Sequence, residues 1–272
     1  MTRGRVCCVG GLDPTGGAGL VADALACAAL GAWPQAIATC LTVQDTAGVR
    51  AVQPVPVDEF RATLRAALDD IGADVVKVGA LGSARNAAVL AEELRARALP
   101  LVFDPVIRPT SGVSLFDGRM EDASALLLPL CTLVTPNAPE AAAMTALPVA
   151  TVADTERAAR ALVRAGAAAA LVKGGHQEGP PVDVLWDGVQ LRHYRGVRVE
   201  HRATHGTGCV LASAVAAGLA SGRGLADAVA GAHVLVQRAL RRPGELGRGR
   251  GPVLAGLVQS QRLLRTTAAR GA

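Results

Sequence analysis

Thr204-His205-Gly206-Thr207-Gly208-Cys209 places two glycines and a thiol at the entrance of an apolar, alanine-rich run, Val210 to Leu219, which reads as a buried helix. Glycine takes positive φ without steric cost and lets a backbone approach a ligand closely. The first N–H groups of a helix have no partner inside it. Together with the positive end of the helix dipole they make an anion pocket, suited to a phosphate or to charge developing in a transition state. A thiol in that pocket has its thiolate favoured, so Cys209 is a candidate base or nucleophile near neutral pH. The same six residues also suit a plain helix cap around a small buried cysteine.

Further polar clusters follow apolar runs. Asp104-Pro105-Val106 is one, Thr135-Pro136-Asn137 with Glu140 a second, and Lys173-Gly174-Gly175-His176 a third. In an open α/β sheet, ligands bind beyond the carboxyl ends of the strands, so these clusters are expected to converge. Asp104, Asn137 and Glu140 offer oxygen to Mg²⁺ or its waters, and Lys173 can neutralise a phosphate. Taken singly, each has a plainer use: Asp104 or Asn137 as a turn former, Glu140 as a first-turn helix acid, Lys173 as a solvated charge. Gly17-Ala18-Gly19-Leu20-Val21-Ala22 fits the dinucleotide fingerprint in outline. The acid expected about 20 positions later is missing, however, since Thr39 and Cys40 stand there. No Lys-Ser/Thr pair follows these glycines, which excludes a Walker A loop.

The elements needed to position these residues form an alternating pattern, as a mostly parallel sheet covered by helices on both faces requires. Strands are expected at Val6–Gly10, Ala36–Cys40, Val75–Val78, Leu101–Phe103, Leu133–Thr135 and Ala169–Val172. Helices are expected at Leu20–Leu30, Val57–Asp70, Ser83–Ala98, Asp122–Leu130, Ala138–Met144, Val152–Ala165, Leu225–Arg241 and Val253–Leu264. A small hairpin is expected between Val182 and Tyr194, turning at Asp187-Gly188. The Pro14 loop and the segment Ile107 to Gly112 have the Pro and Gly content of loops that close over ligands.

The chain has 272 residues, half of them hydrophobic, enough for one large α/β domain over 1–272. No run of about 18 apolar residues and no signal-peptide core is present, so a cytoplasmic protein with no membrane partner is expected. Six cysteines lack zinc spacing, and five of them lie in apolar surroundings that suit reduced core thiols better than a disulfide framework. The net charge of +5 comes from scattered arginines, while aromatics make up 2% of residues. That leaves little for base stacking, so no nucleic-acid partner is expected. Only Lys77 and Lys173 are lysines, which sets both apart.

In order along nearly the whole chain, Gly10 to Gly19 with Asp23, Leu41-Thr42-Val43-Gln44-Asp45-Thr46, Val76-Lys77-Val78-Gly79-Ala80-Leu81, Asp104-Pro105-Val106, Thr135-Pro136-Asn137-Ala138-Pro139-Glu140, Val172-Lys173-Gly174-Gly175-His176 and Thr204 to Cys209 resemble the hydroxymethylpyrimidine/phosphomethylpyrimidine kinases of thiamine biosynthesis. The resemblance implies a ribokinase-like fold, ATP and Mg²⁺ as cofactors, and a homodimer. It implies two successive transfers, to the hydroxymethyl oxygen of 4-amino-5-hydroxymethyl-2-methylpyrimidine and then to the monophosphate. It also implies that Asp23 and Gln44 bond the aminopyrimidine edge, with Gly11, Ala80 and Val106 lining that pocket. Asn137, Glu140 and Lys173 would serve the nucleotide, and Asp104 and Glu140 the metal. The N–H groups of Gly206, Thr207 and Gly208 would form the anion hole, with Cys209 beside the acceptor hydroxyl.

Two positions depart from the family, which usually has Ser where Leu12 stands and Met where Ala80 stands. The loss of a Met side chain widens the ring pocket, at a cost on the order of 1–3 kcal/mol for the usual substrate. Three rival readings follow: a pyridoxal or pyridoxine kinase, a metabolite-binding protein without turnover, and a nicotinamide-dependent oxidoreductase.

Overall fold

Short apolar runs without alternation need cover on both faces of a strand, and the computed structural model, which describes residues 4–106, 113–175 and 179–254, builds its sheet from them. In chain order the elements are β1 (Arg5–Leu12), α1 (Gly19–Ala29), β2 (Trp33–Asp45), β3 (Gly48–Pro54), α2 (Val57–Asp70), β4 (Val75–Val78), β5 (Gly82–Ser83), α3 (Ala84–Arg97), β6 (Leu101–Phe103), β7 (Phe116–Asp117), α4 (Met120–Leu127), β8 (Cys131–Val134), α5 (Ala138–Thr145), α6 (Val152–Arg164), β9 (Ala170–Val172), β10 (Val182–Trp186), β11 (Leu191–Arg195), α7 (Thr207–Ala220) and α8 (Leu225–Leu240).

Among the described residues, nine strands form one sheet in the order β11-β10-β9-β8-β6-β4-β1-β2-β3. The run from β9 to β2 is parallel, and antiparallel pairs close both edges, β9-β10-β11 at one and β2-β3 at the other. Strand side chains alternate between faces. Cys7, Val9, Val76, Val78 and Phe103 pack against α2 to α6, whereas Val6, Cys8, Val75 and Val102 pack against α1, α7 and α8. The six cysteines are free, and all but Cys209 are buried.

The hairpin expected at Val182 to Tyr194 is present as β10 and β11. The second hairpin, β2-β3, is a correction. The strand expected at Ala36–Cys40 runs on to Asp45, whose Oδ1 accepts the N–H groups of Ala47 and Gly48 at 2.9 and 3.3 Å. That local turn reverses the chain into β3. The helix expected at Asp122–Leu130 starts at Met120 and tightens to a 3₁₀ turn over Leu128–Leu130, with Pro129 at its start. Val253 and Leu254 stand in a turn; the rest of the helix expected there, the segment 107–112 and His176 lie outside the described residues.

Candidate active site

The carboxyl ends of β1, β2, β4, β6, β8 and β9, with the loop before α7, enclose a cavity of about 570 Å³. Lined by Gly11, Asp23, Gln44, Ala80 and Val106, it is also reached by Asp104, Asn137, Glu140, Lys173, Gly206, Gly208 and Cys209. Thr207 is not in the wall, and its hydroxyl donates to the Thr204 carbonyl at 2.7 Å.

At one end, Lys173 follows β9 and Asp104 follows β6. Lys173 Nζ donates to Asp104 Oδ1 at 2.7 Å, and the Thr135 hydroxyl donates to the same oxygen at 3.2 Å. Burial would strip the proton from Lys173, but Asp104 and Glu140 outweigh it and raise the ammonium's pKa, so it stays charged. Gly208 makes room for this pair: a Cβ there would sit 2.9 Å from Lys173 Nζ and 3.5 Å from Asp104 Oδ2. Asn137 and Glu140 form a capping box at the start of α5. Asn137 Oδ1 accepts the Glu140 N–H at 2.9 Å, and Glu140 Oε2 accepts the Asn137 N–H at 2.7 Å. The cap fixes both side chains on the cavity wall, and Asn137 is bridged in parallel to Lys173.

A second pair was not foreseen. Alternation along β4 turns Lys77 toward α1 and α7, where its Nζ donates to both oxygens of Asp23 at 2.8 and 2.7 Å, and Ser213 Oγ donates to Asp23 Oδ1 at 2.7 Å. Both members of the ion pair are wholly buried. Burial acts to discharge Lys77, yet Asp23, the Cys209 sulfur and Asp104 hold its pKa above the ordinary lysine value. Burial raises Asp23 against the pull of Lys77 and Ser213. A lysine within the apolar run Val75 to Val78 was the available signal, because an unpaired buried ammonium is costly. Ser213 gave no such signal on an apolar helix.

For Cys209 the thiolate expected at a helix N-terminus is corrected. Burial pushes the thiol up to about 11; Lys77 and the Gly19 N–H pull it down less, while Asp23 and Asp104 push it further up. The sulfur therefore carries its proton at neutral pH. Gly11 sits against the far wall, where a Cβ would meet Cys40 Sγ at 3.0 Å and Ala80 Cβ at 3.6 Å. Ala80 is buried in that wall. Leu12 is exposed and does not line the cavity, so of the two departures only Ala80 touches it.

A hard divalent cation fits the wall at the Lys173 end. Asp104 and Glu140 supply carboxylate oxygens there, and Mg²⁺ commonly takes one or two such groups, with phosphates and waters completing its shell. No cluster of three or more His, Cys, Asp or Glu side chains suited to a metal occurs among the described residues, so an all-protein cage is not what this wall offers.

The family model described as phosphomethylpyrimidine kinase matches residues 13–254. The hydroxymethylpyrimidine/phosphomethylpyrimidine kinase of Streptomyces coelicolor is 41% identical over 254 residues, covering 93% of this chain and 94% of its own. The crystal structure of phosphomethylpyrimidine kinase from Clostridium difficile 630 superposes with a TM-score of 0.77 at 30% identity, over 86% of this chain and 98% of that one. The pyridoxal kinase from Staphylococcus aureus in complex with ADP gives a TM-score of 0.87 at 29% identity, over 96% of both chains.

Proposed function

The chain belongs to the phosphomethylpyrimidine kinase family, and we propose that its cavity holds the aminopyrimidine between Gly11, Gln44, Ala80 and Val106 and the nucleotide phosphates at Lys173. It is a ribokinase-like, ATP-dependent kinase of thiamine biosynthesis, phosphorylating 4-amino-5-hydroxymethyl-2-methylpyrimidine and its monophosphate. The observation that carries the assignment of roles is the convergence on one cavity of the Lys173–Asp104 pair, the Asn137–Glu140 cap and the glycine-rich start of α7.

Phosphoryl transfer through a loose transition state asks chiefly for positioning and for neutralising charge on the transferred group. Lys173 supplies a fixed positive charge against the phosphates. The N–H groups of Gly206, Thr207 and Gly208 face the equatorial oxygens, pre-oriented by the helix start. Asp104 and Glu140 would hold Mg²⁺, which would supply positive charge against the phosphates. Asn137, tied to Glu140, keeps that wall rigid. Cys209, protonated, orients the acceptor hydroxyl; a loose transition state does not require its early deprotonation.

At the other end Gln44 reads the ring edge. Asp23, expected to bond the same edge, has no exposed side-chain surface and is held by Lys77 and Ser213, so it braces the cavity wall instead. One domain over 1–272 carries the whole reaction in the cytoplasm. The assembly is a homodimer, for which the exposed apolar side chains of Leu12, Leu41 and Val43 offer a face.

The test is a coupled assay with ATP and Mg²⁺, offering the pyrimidine, its monophosphate and pyridoxal in parallel. Turnover of both pyrimidines that falls in Gln44→Ala and Lys173→Met supports the assignment. Turnover of pyridoxal alone would favour the second reading, which the small side chain at Ala80 and the likeness to a pyridoxal kinase recommend.

A further inference from the structure

The loop from β1 to α1 and the loop before α7 meet at one carboxylate. Asp13 is 4% exposed, and its oxygens take four donors. Oδ1 accepts the N–H and the hydroxyl of Thr15, both at 2.8 Å. Oδ2 accepts the Ala18 N–H at 3.0 Å and faces His205 Nε2 at 2.8 Å. Burial acts to raise its pKa, yet His205 and Thr15 bring it down to about 2, so Asp13 is an acceptor only and His205 donates from Nε2.

Around that bond the two backbones interlock. A Cβ on Gly17 would run into the His205 ring, and a Cβ on Gly206, which has φ +80°, would run into the Gly17 carbonyl. The main chain of His205 is held from a third side, its N–H donating to the Gly251 carbonyl at 3.0 Å and its carbonyl accepting the Val253 N–H at 2.9 Å. Asp13, Ala18, His205 and Gly206 all line the cavity. The next residues along the chain are Thr207 and Gly208.

We propose that Asp13 and His205 are a positioning pair for phosphoryl transfer, locking the glycine loop 13–19 against Gly206 so that the N–H groups of residues 206–208 are aimed before ligands arrive. The proposal rests on the reading of 206–208 as the anion hole. Neither side chain touches the reacting atoms in this role; both act through the Gly206 backbone. A preorganised donor set lowers a barrier because no reorientation is needed as charge develops. A carboxylate with all four lone-pair positions occupied is a rigid means of holding two loops at a fixed separation.

The test is steady-state kinetics of Asp13→Ala, His205→Ala and the double variant. Each single change is expected to lower kcat on the order of 10²-fold while both KM values move less than about threefold. The double variant should be no slower than the poorer single one, because the pair acts as a unit. His205→Gln, whose amide reaches toward Asp13, should recover about tenfold over His205→Ala. A kcat within about threefold of wild type in the folded single variants, or losses that multiply in the double variant, overturns the proposal.

If the alanine variants do not fold, His205→Gln against His205→Asn decides. A roughly tenfold faster Gln variant supports the pair, since the shorter Asn amide falls short of Asp13, and equal rates overturn it. Wild-type protein that phosphorylates neither pyrimidine sinks the substrate reading instead; the same comparison on pyridoxal then tests the pair.

Discussion

The pairs Lys77–Asp23 and Lys173–Asp104 share one chemistry and one shortest distance, 2.7 Å, but not one environment. The first has no exposed side-chain surface, whereas the second keeps 14% of Lys173 and 3% of Asp104 open to the cavity. Lys77 gives both Asp23 oxygens a bond and is braced by Ser213 from α7; Lys173 bonds one oxygen of Asp104. A fully desolvated ion pair is committed to its partner, because losing either member strands a charge. A pair at a cavity wall can exchange its partner for a ligand's charge. On the proposed reading, the first therefore shapes the site and the second works in it.

The largest expected effect breaks this comparison if it fails. Lys77→Met strands Asp23 and should cost about 3–5 kcal/mol of stability. Thermal unfolding should show a drop in Tm on the order of 10 °C. A variant that melts like wild type but has lost turnover would show that Lys77, too, is a working residue.

Lys173→Met is the converse. It should lower Tm by less than Lys77→Met does, since the cavity leaves its partner a route to solvent, and lower kcat on the order of 10²–10³-fold, the scale of removing one preorganised charge contact. A large fall in Tm with kcat preserved in the folded fraction would reverse the roles assigned to the two lysines.

A third experiment asks how far the charges of both pairs govern the thiol between them. With Cys209 near 11 and its ordinary value lower, the proton stays on through neutral pH and leaves only as pH rises toward that value. The kcat profile should accordingly be flat between pH 7 and 9, and Cys209→Ser should keep that shape. A rise near pH 7–8 that disappears in the Ser variant would mean that Lys77 outweighs burial in the working enzyme.

The smallest effect separates ring selectivity from both pairs. Ala80→Met refills the wall beside Gly11 and should change kcat/KM for the pyrimidine relative to pyridoxal about tenfold in favour of the pyrimidine, with kcat on the pyrimidine little altered. Equal ratios in the two proteins would place selectivity elsewhere in the pocket.

Much of this was legible in the sequence, for local reasons. The parallel strands stood out because strands covered on both faces are continuous apolar runs, as at Val6 to Gly10 and Val75 to Val78. Asp104 and Lys173 could be placed because each follows such a run directly, and Asn137 because it stands just beyond one, after Thr135-Pro136. The β2-β3 hairpin was not expected: at the sheet edge Thr42, Gln44, Arg50 and Gln53 interrupt any apolar run, and its turn is made by Asp45 rather than by an Asn-Gly or Asp-Gly pair. The Lys77–Asp23–Ser213 cluster joins residues from β4, α1 and α7, which no window of neighbouring residues brings together. For Cys209 the local cue, a helix N-terminus, pointed to a thiolate, and burial by distant elements decided the matter the other way.

The interlock of Gly17 with Gly206 also sets when the enzyme comes into being. Asp13 and His205 are 192 residues apart. A chain synthesised just past β9 has both Lys173 and Asp104. It has neither the glycine turn nor the sulfur that must face them. The cavity is therefore complete only when the last quarter of the chain folds back onto the first loop to be synthesised.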